Sequence, residues 1–159
     1  MAANVDPRVS LQNLLRGLFD RPIQLTAAPK FEPGFSKVGV VAVYLGPSEE
    51  TVGLLVCSIQ AAAYLGAALS LLPKPVAEDA IKRGALDDAL LENFREVANI
   101  CSSLFAEQAG ARVHLDTVLN KVIAAPPAYK NLLASPNRAD VSVDIPNYGP
   151  GVISVRLPK

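Results

Sequence analysis

The stretch TVGLLVCSIQAAAYLGAALSLL, Thr51–Leu72, carries no charged side chain and is close to the length of a membrane span. Its composition argues against insertion. Six residues between Gln60 and Leu69 are Ala or Gly, and Ser58, Gln60 and Ser70 add polar groups, so the transfer gain per residue is small. The reading is a buried helix that covers a sheet. Upstream, Lys37–Leu45 (KVGVVAVYL) is dense in Val and Tyr and predicts a strand closed by the Gly46-Pro47 turn. Ser48 then offers an N-cap, and Glu49 and Glu50 suit the positive end of the helix that is expected to follow.

Outward from this segment the elements alternate in type. Val9–Phe19 places Leu11, Leu14, Leu15 and Leu18 on one helical stripe that should end at Arg21-Pro22. Ile23–Thr26 has the composition of a short strand. Pro73–Asp88 is polar, with a short central helix expected and a break at Gly84; Asp87 or Asp88 can cap the helix after it. Beyond Gly110, Val113–Leu115 and Val118–Ile123 are candidate strands separated by Asp116-Thr117, and Ala125–Arg138 reads as loop with a helical turn. The runs ADVSVDIP and GVISVRLP, joined by NYGPG, alternate with period two and predict a hairpin. Together these give an α+β fold, long helices packed on antiparallel β-sheet, in a single domain over residues 1–159.

Charge and cysteine content exclude several functions. Fifteen Lys and Arg balance fifteen Asp and Glu, so no global positive field recruits nucleic acid or an anionic membrane, and neither is expected as a partner. Cys57 and Cys101 lie in apolar segments without metal or redox spacing, which fits buried thiols in a reducing compartment. The start MAANVDPRVS lacks a basic region followed by an apolar run, and a cytoplasmic location is expected. His114 falls in the alternating fragment RVHLD and reads as a strand position.

The second long helix is the one with a wet side. In ENFREVANICSSLF, Glu92–Phe105, helical spacing gathers Leu90, Phe94, Val97, Cys101 and Leu104 on one stripe, with Glu92, Glu96, Asn99 and Ser103 nearly opposite. Glu96 and Asn99, at i and i+3, project side by side and can both touch one incoming group. A solvated face of Glu, Asn and Ser needs no functional explanation, but Asn is a mediocre helix former that solvation does not call for.

The E-x-x-N-I of REVANICSSLF, with Glu92 four residues before Glu96, resembles the signature helix of the CheC/CheX class of chemotaxis phosphatases, nearest to its single-site CheX-like branch. LLRGLFDRPIQLTAAP and VGVVAVYLGPSEETVGLLVCSI upstream, and VHLDTV, VSVDIP and VISVRLP downstream, resemble that family's opening and closing elements, so the likeness runs from about Ser10 to Leu157. The resemblance implies a phosphatase acting on the phosphorylated aspartate of a CheY-like receiver domain. It makes Asn99 the residue that orients the attacking water and Glu96 the residue that pairs with the receiver's Lys. It implies no cofactor in this chain, with Mg2+ expected in the partner receiver. A homodimer is also among the expected partners, since a domain of this size with a very apolar helix can pair sheets or helices across a two-fold axis. Two departures from the pattern define the alternative, a non-catalytic signalling adaptor or dimerising module of the same fold. The first apolar helix has no acid and Asn pair and offers only Gln60. A Pro usual some two dozen residues past the motif Asn is absent near Asn120–Ile123, and the corresponding-looking LDTV carries Asp116 in place of a Pro.

Overall fold

The computed structural model describes residues 5–31, 39–120 and 129–159. Six strands form one sheet in the order β1-β5-β6-β3-β2-β4, with antiparallel neighbours throughout. They are β1 (Gln24–Ala27), β2 (Gly39–Leu45), β3 (Thr51–Ser58), β4 (His114–Leu119), β5 (Arg138–Ile145) and β6 (Gly149–Arg156). The helices are α1 (Pro7–Phe19), α2 (Ile59–Leu69), α3 (Lys74–Arg83), α4 (Asp88–Ile100), α5 (Ser102–Ala109) and the short α6 (Lys130–Leu133). The expected α+β class, helices packed on antiparallel sheet, is the one observed.

The Thr51–Leu72 expectation is corrected: this run is a strand followed by a helix. Thr51–Ser58 is β3, paired with β2 through Val41↔Val56 and Val43↔Leu54 and with β6 through Leu55↔Val155. Ser48 caps no helix. It sits in the β2–β3 turn, where Gly46 N–H donates to Glu50 O at 2.8 Å and Glu49 adopts a left-handed φ of 62°. The N-cap is Ser58, whose hydroxyl accepts from Ala61 N–H at 3.1 Å and also from Val152 N–H at 3.0 Å. The reason is burial on both faces. Val40, Ala42, Tyr44, Leu55 and Cys57 face the helices, while Val41, Val43, Leu54 and Val56 pack on the opposite side with Leu132 of α6. A central strand covered twice has no polar alternation and runs without a break of composition into a buried helix.

The small residues of α2 let it approach closely. A side chain on Gly66 would stand 2.9 Å from Leu90 O of α4, and one on Gly151 of β6 would meet the Ala61 backbone at 2.5 Å. Ala61–Ala68 are buried within the chain, so the apolar helix is covered in the monomer, as its lack of charge implied. The reason for pairing it across a two-fold axis lapses with that; among the described residues β1 and β4 each have one strand partner and stand at the two ends of the strand order. Among the described residues no helix is long and apolar enough to cross a membrane.

The remaining elements follow the sequence with local corrections. Asp6 caps α1, and Asp20, with φ 50°, ends it before Arg21-Pro22. The short strand pairs as Gln24–Ala27. Gly84, with φ 74°, ends α3, and Asp87 Oδ1 accepts from Leu90 N–H at 2.9 Å to begin α4. The two strands expected after Gly110 are one: β4 runs through Asp116, where a register shift between Val43 and Tyr44 leaves it as a bulge residue. The Lys121–Ile123 end of that expectation, and Lys37 and Val38 of the earlier strand, lie outside the described residues. The terminal hairpin forms as β5–β6, closed by Asn147 at φ 72°.

On the face away from the long helices, β5 and β6 bury a polar cluster. Arg156 is fully buried; its Nε donates to Ser154 Oγ, and its two terminal nitrogens donate to the carbonyls of Leu133 and Phe31. Arg138, directly opposite in register, donates from Nε to Asp140 Oδ2 at 2.9 Å and from Nη2 to Phe31 O at 2.8 Å. Among the described residues, the Asp140 carboxylate and backbone oxygens hold these two like charges side by side.

Candidate functional site on helix α4

Both ends of α4 are fixed. At its start, Asn120 at the close of β4 grips the Leu86 peptide from both sides: Oδ1 accepts from Leu86 N–H and Nδ2 donates to Leu86 O, each at 2.9 Å. Asn120 stands where the resemblance looked for a Pro, and it supplies the tie between β4 and the α3–α4 loop. Along the helix, Asn93 Nδ2 donates to Gly66 O and to Ser70 Oγ, both at 2.9 Å, binding α4 to α2. Leu90, Phe94, Val97 and Ala98 are buried, as the stripe predicts.

Glu96 and Asn99 are exposed, together with Glu92 and Ser103. The sequence pair therefore lies on a solvent-facing helix surface, one turn apart, with no described element over it. A partner surface can reach an anionic oxygen pair and a neutral amide simultaneously. Alongside, α1 is tied to α5 by Ser10 Oγ donating to Glu107 Oε1 at 2.7 Å and Gln108 Nε2 donating to Val5 O at 2.6 Å. A shallow groove between them is lined by Asn13, Leu14, Ser103 and Leu104.

The sequence suggests one helix through Phe105; the structure divides it at Cys101, immediately after the candidate pair. The Tyr44 hydroxyl of β2 donates to Ala98 O at 2.5 Å, Ser102 Oγ donates to Asn99 O at 2.6 Å, and Ser103 Oγ donates to Ile100 O at 3.1 Å. Side-chain hydroxyls thus compete for carbonyls that would carry the helix onward. The Tyr44 ring stacks on Phe105 of α5 with centroids 4.1 Å apart, in the space left by Gly53, where a Cβ would come within 2.1 Å of that ring. Burial pushes the Tyr44 hydroxyl well above its ordinary range, with the Cys101 and Cys57 thiols adding to the shift, so it remains a donor. Sequence reasoning missed Tyr44: nothing in KVGVVAVYL marks its hydroxyl as different from any buried tyrosine, and the Ser102-Ser103 pair was the only local sign of a break.

Other candidates take ordinary places. Cys101 is buried on the apolar stripe, and burial pushes its thiol up to about 12, which keeps it protonated and unreactive at neutral pH. His114 is exposed at the start of β4, opposite Leu45. Arg83 Nη2 lies 3.6 Å from Asp87, an exposed i,i+4 pair. Among the described residues no three His, Cys, Asp or Glu side chains gather where they could hold a metal ion.

Helices packed on one antiparallel sheet define a class by fold: the chain has the fold shared by CheX, FliY and the FliM middle domain. The particular structures are distant in sequence. A chain from the CheX–CheY–BeF3–Mg2+ complex of Borrelia burgdorferi superposes with a TM-score of 0.62 at 13% identity, covering 100% of both chains. A chain from the FliG–FliM complex of H. pylori gives 0.65 at 9% identity, covering 95% of this chain and 86% of that one. Thermotoga maritima FliY gives 0.57 at 14%, covering 96% and 84%. No protein-family model matches the chain, and no curated protein matches it by sequence. The likeness does not single out the CheX-like branch, because FliM and FliY chains superpose comparably.

Proposed function

We propose that this protein is a phosphatase for the phosphorylated aspartate of a CheY-like receiver domain, with α4 as the docking helix. The observation that carries the reading is the exposed Glu96 and Asn99 pair, one turn apart on a helix whose other side is core. The fold likeness to a CheX crystallised with CheY, BeF3 and Mg2+ supports the choice of partner. In this reading the Asn99 amide orients a water in line with the phosphorus, and Glu96 pairs with the receiver's active-site Lys. The receiver supplies the Mg2+ and most of the charge stabilisation, so this chain contributes position, which removes rotational freedom of the water before reaction. Asn99 has no basic group to take a proton, and Glu96, once paired with a Lys, is a poor base; its role is docking.

Glu96→Ala is expected to weaken both binding and turnover. Affinity for a beryllofluoride-loaded receiver, read by isothermal titration calorimetry, should fall about tenfold, with kcat/KM falling at least as far. Unchanged affinity would remove Glu96 from the interface. A homodimer through the β1 or β4 side of the sheet belongs to the same proposal; sedimentation velocity should read about twice the 16.8 kDa chain mass, and a monomer at working concentration would refute it.

One observation favours a second reading, a non-catalytic adaptor. The polar residue that α2 presents to solvent is Gln60, the helix has no acid and Asn pair, and chains of the same fold come from FliM complexes with FliG and SpeE. Binding to receivers without release of phosphate would favour the adaptor.

A further inference from the structure

Three successive carbonyls at the end of α4, those of Ala98, Asn99 and Ile100, accept from the side-chain hydroxyls of Tyr44, Ser102 and Ser103. Two of these hydroxyls are local to the helix turn. Tyr44 is different: it reaches 54 positions along the chain, from strand β2 of the sheet, and is wholly buried. Its donor is also held from behind, because the ring is stacked on Phe105 and opposes Gly53 in register. The Ala98 carbonyl belongs to the peptide that leads into Asn99. Fixing that oxygen from the sheet fixes the plane from which the Asn99 Cα and side chain project, and Ser102 fixes the next peptide plane on the far side of Asn99. Glu96, two residues before Ala98, lies in the unbroken part of the helix and needs neither bond.

We propose that Tyr44 is a positioning residue for Asn99: its hydroxyl, through Ala98 O, sets the direction of the Asn99 amide, with Ser102 as the second clamp. The inference rests on the reading that Asn99 orients the attacking water. It separates two tasks along α4. Docking through Glu96 uses the regular helix, and orientation through Asn99 uses a broken helix end anchored to the sheet. A displaced Asn99 would still let the helix dock, while the water would lose its alignment.

The test is Tyr44→Phe, which keeps the ring and its stack on Phe105 but removes the donor, alongside Ser102→Ala, which removes only the clamp nearer the surface. With a phosphorylated receiver, kcat is expected to fall about tenfold in Tyr44→Phe and severalfold in Ser102→Ala, with KM within twofold of wild type in both. A second readout does not depend on turnover. Backbone 15N relaxation of the full chain should show lower order at residues 99–102 in Tyr44→Phe and unchanged order at residues 90–96. Wild-type kcat in Tyr44→Phe, a KM change instead of a kcat change, or unaltered relaxation at residues 99–102 would each overturn the inference. If the wild-type protein turns over no receiver, the phosphatase reading fails, and the relaxation data then decide by themselves whether Tyr44 orders Asn99. If Tyr44→Phe does not fold, Ser102→Ala carries the same kcat and KM comparison.

Discussion

Replacing Asn99 with Ala is expected to remove receiver dephosphorylation while leaving receiver binding intact. Asn99 is exposed on α4, and its backbone is held by the ties to Ala98 O and to its own carbonyl, so the substitution changes a surface group and little of the packing. In the proposed mechanism the amide orients one water. Losing a positioned group of this kind costs about a hundredfold in rate, and the receiver's own Mg2+ and Lys leave only its intrinsic hydrolysis behind. Phosphate release under saturating protein should therefore fall to near the receiver's own rate. Affinity for the beryllofluoride-loaded receiver should stay within about twofold, because Glu96 and the rest of the face are untouched. An Asn99→Ala protein that turns over as fast as wild type would contradict the assigned role.

The second large effect concerns stability and lies on the other side of the sheet. Asp140 sits between Arg138 and the Arg156–Ser154 pair, with its side chain and that of Arg138 about nine-tenths buried. Burial pushes its carboxyl up, but hydrogen bonds from Arg138 and Ser154 and the charges of Arg138 and Arg156 outweigh this, and the net shift is downward. Asp140→Ala removes a carboxylate that neighbours two buried guanidinium groups and should destabilise by about 3–5 kcal/mol, read as a lower urea midpoint. Replacing the pair together, Asp140→Leu with Arg138→Met, should recover only part of that loss, because the Arg156 guanidinium stays buried beside the new apolar pair.

The pH dependence has a definite sign. A folded value below the ordinary 3.8 means that ionised Asp140 adds stability above that pH, and that the contribution disappears as pH falls through the lower folded value. The wild-type midpoint should drop in that acid window more than the Asp140→Ala midpoint does. Equal slopes would show that the carboxylate does not stabilise the cluster.

How far the sequence could be read follows from where burial leaves a periodic signal. Helix α4 has one dry and one wet side, so Phe94, Val97, Glu96 and Asn99 fall where the spacing puts them. The β5–β6 hairpin alternates because one side packs on the helices. Thr51–Ser58 had no such contrast: β3 is covered on both faces, and its apolar run merges with α2. Arg156 was illegible for the opposite reason. In GVISVRLP it reads as an outward residue, yet α6 and the Phe31 carbonyl cover that side and turn it into a buried donor. At the division of the helix at Cys101, Ser102 and Ser103 are local, but Tyr44 is brought from a distant strand, and local propensity contains nothing of its part. The exposed pair was legible, therefore, whereas what holds Asn99 in place was a product of the tertiary fold.

The most direct test of the central claim is release of inorganic phosphate from a panel of phosphorylated receiver domains, with and without the wild-type protein. The account predicts that at least one receiver loses phosphate well above its intrinsic rate in the presence of wild type and at its intrinsic rate with Asn99→Ala. Receivers that bind the protein yet lose phosphate no faster than alone would contradict it and favour the adaptor.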